Sequence, residues 1–93
     1  ILLKGVEDVV CDEHKCVKVA GGNEGMTKGG TGDVLAGLVG ALYCKNEAFL
    51  AAVGGSYINK KAGDNLYQRV GPFFNASDLV TEVPAVMKEE LEY

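Results

Sequence analysis

Lys28-Gly29-Gly30-Thr31-Gly32-Asp33 runs straight into Val34-Leu35-Ala36-Gly37-Leu38-Val39-Gly40-Ala41-Leu42, a glycine-rich turn opening an apolar helical run. Glycines on both sides of one threonine leave backbone N–H groups unshielded by side chains, and a helix beginning just beyond adds the positive end of its dipole. The turn therefore reads as an anion site suited to phosphate. Asp33 is its odd member, because a carboxylate repels a bound anion unless it acts on the neighbouring atom, and proton abstraction is such a task. A base beside an anion hole is what phosphoryl transfer to a hydroxyl needs. The competing reading is a Gly-rich turn whose Asp favours a first helical turn through the dipole alone. Two better-known motifs are excluded. The P-loop requires Ser or Thr after its Lys, where Gly29 stands, and the dinucleotide fingerprint lacks its third glycine after Gly32.

Upstream, Leu2-Leu3-Lys4-Gly5 reads as the end of a strand covered on both faces. Lys4 then lies at the edge where open α/β sheets bind ligands, either as a point charge for phosphate or as a solvated strand-end lysine. Asp8-Val9-Val10-Cys11 and Cys16-Val17-Lys18-Val19 flank the polar turn Asp12-Glu13-His14-Lys15, which predicts a β-hairpin at a sheet edge. His14 lies at its tip and is assigned no chemistry. Residues 20–28 form a loop in which Met26 either offers a soft apolar contact to a ligand or plugs the core.

Downstream, the apolar positions 34, 35, 38, 39 and 42 fall at helical spacing. Gly37 and Gly40 imply close packing against a neighbour. Cys44-Lys45-Asn46 ends this helix, with Asn46 available to cap the next. Phe49, Leu50, Val53, Tyr57, Ile58 and Ala62 predict a second helix through about Gly63, with tight contact at Gly54-Gly55-Ser56. After the break at Val70-Gly71-Pro72-Phe73-Phe74, Asn75 or Ser77 starts a third helix that Pro84 interrupts, and 88–92 read as a solvated terminal helix.

The 93 residues, 47% hydrophobic, allow one small domain at most. The chain opens Ile1-Leu2-Leu3-Lys4 as though inside a strand and reads as a fragment. A net charge of −4 with scattered basic residues argues against nucleic acid as a partner. Apolar runs stop well short of the ~18–20 residues of a membrane span, and no signal-peptide pattern opens the chain. A soluble cytoplasmic protein fits, with organelle import left open. Cys11, Cys16 and Cys44 are an odd number, and reduced thiols are the default. Cys11, His14 and Cys16 invite a metal reading but lack CxxC spacing and a fourth ligand.

The run 23–37, Asn-Glu-Gly-Met-Thr-Lys-Gly-Gly-Thr-Gly-Asp-Val-Leu-Ala-Gly, resembles the signature of the NAD(P)H-hydrate dehydratases, a branch of the ribokinase-like superfamily. The resemblance extends to Lys4-Gly5-Val6-Glu7-Asp8, Ala62-Gly63-Asp64 and Ala76-Ser77-Asp78-Leu79 with Pro84, and is strongest to the eukaryotic, ATP-using branch. It implies the C-terminal part of a three-layer α/β domain: one parallel strand end, the hairpin, the Gly-rich anion-hole loop and three helices. It implies ATP-dependent return of hydrated NADH or NADPH to the reduced cofactor, by phosphorylation of the ring hydroxyl and loss of phosphate. Asp33 would be the base and contact the substrate. Gly29, Gly30, Thr31 and Gly32 would hold the moving phosphoryl group, while Lys4, Gly5, Val6, Glu7, Asp8, Asn23, Glu24, Gly25, Met26, Thr27 and Lys28 would line the nucleotide. Mg²⁺ would bridge the phosphates through ligands not named by the sequence. A small-molecule kinase acting on a vitamin precursor or sugar alcohol shares the same hole and Asp, and a fragment inactive on its own is the third alternative. Homo-oligomers are the general expectation for soluble enzymes.

Overall fold

A hairpin, a short third strand and three helices make up the fold, and the computed structural model describes residues 1–91. The strands are β1 (Leu2–Leu3), β2 (Asp8–Cys11) and β3 (Cys16–Val19), and the helices α1 (Thr31–Tyr43), α2 (Ala48–Val70) and α3 (Ala76–Leu91). A single 3-10 turn, Glu24–Met26, interrupts the loop before α1. This is a small α/β arrangement in which α2 joins the sheet to the other helices. No helix among the described residues is long and apolar enough to cross a membrane.

The hairpin has the expected bounds, with Asp8 opposite Val19 and Cys11 opposite Cys16. Asp12 closes its turn by accepting from the backbone N–H groups of His14 and Lys15, both at 2.8 Å. Cys11 and Cys16 are joined as a disulfide across facing positions whose Cα atoms are 4.1 Å apart, which corrects the expectation of reduced thiols. It also removes the metal reading, since both thiolates are spent on each other. Cys44 remains a free, exposed thiol.

β1 departs from expectation. It pairs antiparallel with β2 in the order β1-β2-β3, and Leu3 is 66% exposed, so it is neither a parallel strand nor buried on both faces. Two apolar residues carry no periodicity from which direction or burial can be read. Among the described residues nothing covers that side of the strand.

The helices gather around Ala62, Leu66, Phe74, Leu79 and Val86, with Met26, Val34 and Ile58 packed against this core. The tight contact expected at Gly55 is present. A Cβ there would come within 2.5 Å of Val39 Cγ2, so α1 and α2 approach closely only because position 55 is glycine. α2 continues seven residues beyond the expected stop, since Gly63 does not end the helix but makes room for the Met26 side chain. It ends at Gly71, whose φ of 63° suits glycine and whose N–H bonds Tyr67 O at 2.8 Å. Its first turn is capped by the Glu47 carboxylate rather than by Asn46, which instead bonds back to Leu42 O.

Asn75 and Asp78 cap α3 reciprocally, each side chain accepting from the other's backbone N–H. Pro84 lies inside α3 without interrupting it. The N–H it lacks would have met Val80 O, and both residues are exposed, so water can satisfy the freed carbonyl. The expected terminal helix is seen through Leu91, and Glu92 lies outside the described residues.

Candidate functional site

Where the 4–8 loop, the 21–28 loop and the start of α1 meet α2, they enclose a cavity of about 750 Å³, within the size range of small-molecule sites. Its floor is a buried ion pair. Lys60 Nζ lies 3.6 Å from Asp8 Oδ1, with the two side chains 8% and 5% exposed. The same ammonium donates to the carbonyls of Val6 and Gly21, each at 3.2 Å, and more distantly to Gly5 O at 3.4 Å. Asp8 in turn accepts from Gly5 N at 3.1 Å and Ser56 Oγ at 2.6 Å. One lysine on α2 thus ties both loops to the helix.

The 21–28 wall is held with equal completeness. Gly21 and Gly22, at φ 106° and 83°, turn the chain so that Gly22 N donates to Asp64 Oδ2 at 3.0 Å. Asp64 Oδ1 accepts from Asn23 Nδ2 at 2.9 Å, and Asn23 Oδ1 caps the 3-10 turn through Gly25 N at 2.9 Å. Gly25 is buried edge-on to Phe74, where a Cβ would come within 2.7 Å of the ring. Glu24 accepts from Tyr67 Oη at 2.8 Å. A bond from its own backbone N–H, then that from Tyr67, keeps its carboxyl below the ordinary range.

Lys28 does not face the mouth of the cavity as a free charge. Its ammonium donates to Pro72 O at 2.9 Å and to Phe74 O, and sits 4.6 Å from the Phe74 ring centre. These contacts clamp the 72–74 turn to the loop, while Lys28 still lines the cavity. Met26 packs against Gly63 and the helical core, as the core-plug reading expects, and it also lines the cavity.

At the mouth, α1 begins at Thr31, three residues before the expected start, with Gly30 as N-cap at φ 94°. A Cβ on Gly30 would also come within 2.9 Å of Ala76 Cβ, so glycine is required there on two counts. Thr31 Oγ1 lies 2.9 Å from Met26 O and 3.1 Å from Lys28 O, fastening the turn beneath the helix. Lys4 reaches over this terminus from β1. Its Nζ stands 3.4 Å from where a Gly32 Cβ would be. Asp33 lies in the first turn of α1, exposed, with no side-chain hydrogen bond among the described residues. The mouth therefore offers an ammonium and a helix N-terminus to one spot, with a carboxylate beside it.

The family model described as NAD(P)H-hydrate dehydratase matches residues 1–85. The chain belongs to that family. It is 48% identical over 88 residues to the bifunctional NAD(P)H-hydrate repair enzyme Nnr of Methanocaldococcus jannaschii, covering 95% of this chain and 18% of that protein. The enzyme of the same name from Archaeoglobus fulgidus is 45% identical over 84 residues, covering 90% of this chain and again 18% of the relative. The ADP-dependent (S)-NAD(P)H-hydrate dehydratase of Cenarchaeum symbiosum is 39% identical over 89 residues, covering 95% of this chain and 31% of that protein. The chain thus spans between about a fifth and a third of the length of these archaeal relatives.

The NAD(P)H-hydrate dehydratase match encloses the whole cavity. Of the residues expected at the nucleotide, Lys4, Gly5, Val6, Asp8, Asn23, Glu24, Met26, Thr27, Lys28 and Thr31 line it. Glu7 is exposed beside it, Gly25 is buried behind it, and Gly29, Gly30, Gly32 and Asp33 form the turn at its mouth. Asn59 and Lys60 line it as well and were not expected. They share a helical face with Ser56 and Gly63, all four buried, and that spacing of small and polar residues was the available signal. Among the described residues no three His, Cys, Asp or Glu side chains gather to hold a metal ion.

Proposed function

We propose that this chain is the C-terminal portion of a ribokinase-like domain, three-layered when whole, that repairs hydrated NADH or NADPH in the cytoplasm at the expense of a nucleoside phosphate. The observation that carries the reading is the Lys4 ammonium over Gly32 at the start of α1. Two positive features facing one spot repel each other, and a phosphate placed between them relieves both. In this reading Gly29, Gly30, Thr31 and Gly32 hold the terminal phosphoryl group. The ring hydroxyl of the hydrated nicotinamide attacks its phosphorus while Asp33 takes the hydroxyl proton, and the bond from that phosphorus to the bridging oxygen breaks so that the shortened nucleotide leaves with the electron pair. The phosphorylated oxygen then leaves as phosphate with the C–O bonding pair, and loss of the adjacent ring proton restores the reduced cofactor.

The donor is ATP or ADP. The name of the Cenarchaeum symbiosum relative favours ADP and the motif resemblance favours ATP. Among the described residues no cluster of three or more His, Cys, Asp or Glu side chains is available to Mg²⁺.

The test is nicotinamide recovery from the hydrate by the full-length protein, with ATP and ADP in separate arms and Lys4→Met beside the parent. Recovery should require one of the two nucleotides, with one phosphate released per cofactor restored. Lys4→Met should weaken nucleotide binding about tenfold, the loss expected for one charge-assisted contact. A stable phosphorylated product would instead assign the site to a small-molecule kinase, and unchanged nucleotide affinity in Lys4→Met would remove the observation on which the reading stands.

A further inference from the structure

We propose that Asn59 is the residue of this cavity that accepts a hydrogen bond from the nucleoside part of the ligand, a contact distinct from the phosphate end at Lys4 and α1. The inference rests on the nucleotide reading above. Asn59 lines the cavity from α2 and is 3% exposed, and its Oδ1 is buried with no hydrogen-bond partner, singled out in this among the buried side chains of the described residues. An amide oxygen in that position destabilises the fold unless something donates to it.

The buried and half-buried donors nearest to it are already committed. Lys60, the next residue, spends its ammonium on Asp8 and on backbone carbonyls of both loops. Ser56 Oγ donates to Asp8, Thr31 Oγ1 is directed at Met26 O and Lys28 O, and Asn23 Nδ2 donates to Asp64. Each of these polar hydrogens already has an acceptor, and the cavity donors without an internal bond, Lys4 and Thr27, are exposed side chains, while the buried Asn59 Oδ1 has no donor. The partner must enter with the ligand. A phosphate in its ionised form has no proton to offer, so the donor belongs to the nucleoside, either an exocyclic amine of the base or a ribose hydroxyl. Position 59 lies between the Ser56 contact to Asp8 and the Gly63 contact to Met26, which sets it in the body of the cavity.

The test measures ADP, ATP and pyrophosphate binding by titration calorimetry on the full-length protein and on Asn59→Leu, which keeps the volume and removes the acceptor. ADP and ATP affinity should fall about three- to tenfold, the range of one neutral hydrogen bond, while pyrophosphate affinity stays unchanged. The melting temperature of the ligand-free variant should hold or rise, because an unpaired buried oxygen has gone. Inosine diphosphate and 2′-deoxy-ADP identify the donor, since the analogue that lacks it should lose on the parent what ADP loses on the variant. Equal ADP affinity in parent and variant would overturn the assignment of Asn59 alone. So would a matching loss for pyrophosphate, or a lowered melting temperature with all binding lost together, either of which marks a structural side chain. A parent that binds pyrophosphate but neither nucleotide would overturn the nucleotide reading and this contact with it.

Discussion

The cavity has a lysine and an aspartate at its floor and another lysine and aspartate at its mouth, and the two sets are treated oppositely by the fold. At the floor, Lys60 and Asp8 are buried, 3.6 Å apart, and every polar hydrogen around them is matched. At the mouth, Lys4 and Asp33 are both exposed, and neither has an ion-pair partner among the described residues. Lys4 and Asp8 lie four residues apart in one motif, yet one ends in each region. A closed set of charges stabilises; an open set beside a helix N-terminus is available to a ligand. Substitutions at the floor should therefore be read in stability, and substitutions at the mouth in turnover.

The largest effect is expected at the mouth. Asp33→Asn keeps the shape of the side chain and removes the carboxylate proposed above as the base, so in the full-length protein recovery of reduced nicotinamide should fall by roughly 10²–10⁴-fold, the usual contribution of a positioned base. Thermal stability should stay near the parent's, because the carboxylate makes no internal bond to lose. Nucleotide affinity measured on the same variant should hold or improve, since one negative charge beside the phosphates has gone. A rate within about threefold of the parent, under about 1 kcal/mol in barrier, would reduce Asp33 to a residue that merely favours the helix dipole and would erase the contrast.

At the floor, Lys60→Met should act the other way. It leaves Asp8 buried without its counter-charge and frees the carbonyls of Val6 and Gly21, so stability should fall by about 3–5 kcal/mol in urea unfolding. Combining it with Asp8→Asn should cost less than the two single changes added together, since one buried charge no longer faces the loss of the other. A fall of less than about 1 kcal/mol for Lys60→Met would show the floor to be no more closed than the mouth.

The same division explains what could be read before the structure. The hairpin, the break at 70–74 and the cap at Asn75 are local, and their residues announce them: alternating apolar positions about a polar turn, Gly-Pro, and Asn three residues before Asp78. The mouth was legible too, because a glycine turn and the helix it opens are contiguous in the chain. The floor was not. Lys60 bonds Val6 O, 54 positions away, and the spacing of small and polar residues at 56, 59, 60 and 63 marks a face without naming its partners. Reading α2 by its apolar residues found only part of its inner face, since Ala62 is in the core and Ile58 packs against it, but Leu50 and Tyr57 are exposed while Ser56, Asn59 and Lys60 are inside. Hydrophobic periodicity finds the face that leaves water for free, and it misses one held by polar pairs.

A third pair, away from the cavity, should give the smallest effect. Arg69 on α2 meets Glu82 on α3 at 2.8 Å and 3.3 Å through both guanidinium nitrogens, but Arg69 is 57% exposed, so solvent screens most of the gain. The Arg69 hydrogen bond, with lesser help from Asn65, holds the Glu82 carboxyl below its ordinary 4.5. A depressed carboxyl contributes stability that is complete above the unfolded value and is lost as the pH falls through the folded one. The parent should therefore exceed Arg69→Met in melting temperature by a constant, small margin from pH about 5 upward, a minor fraction of the Lys60 loss, and the margin should close below about 4.5 as Glu82 takes up its proton. Thermal melts of both proteins across that range decide it. A margin that persists undiminished in acid would mean Arg69 acts through the packing of its aliphatic stem, and a margin as large as that of Lys60 would mean that half-exposed pairs in this fold are as closed as the buried one, leaving burial unable to separate floor from mouth.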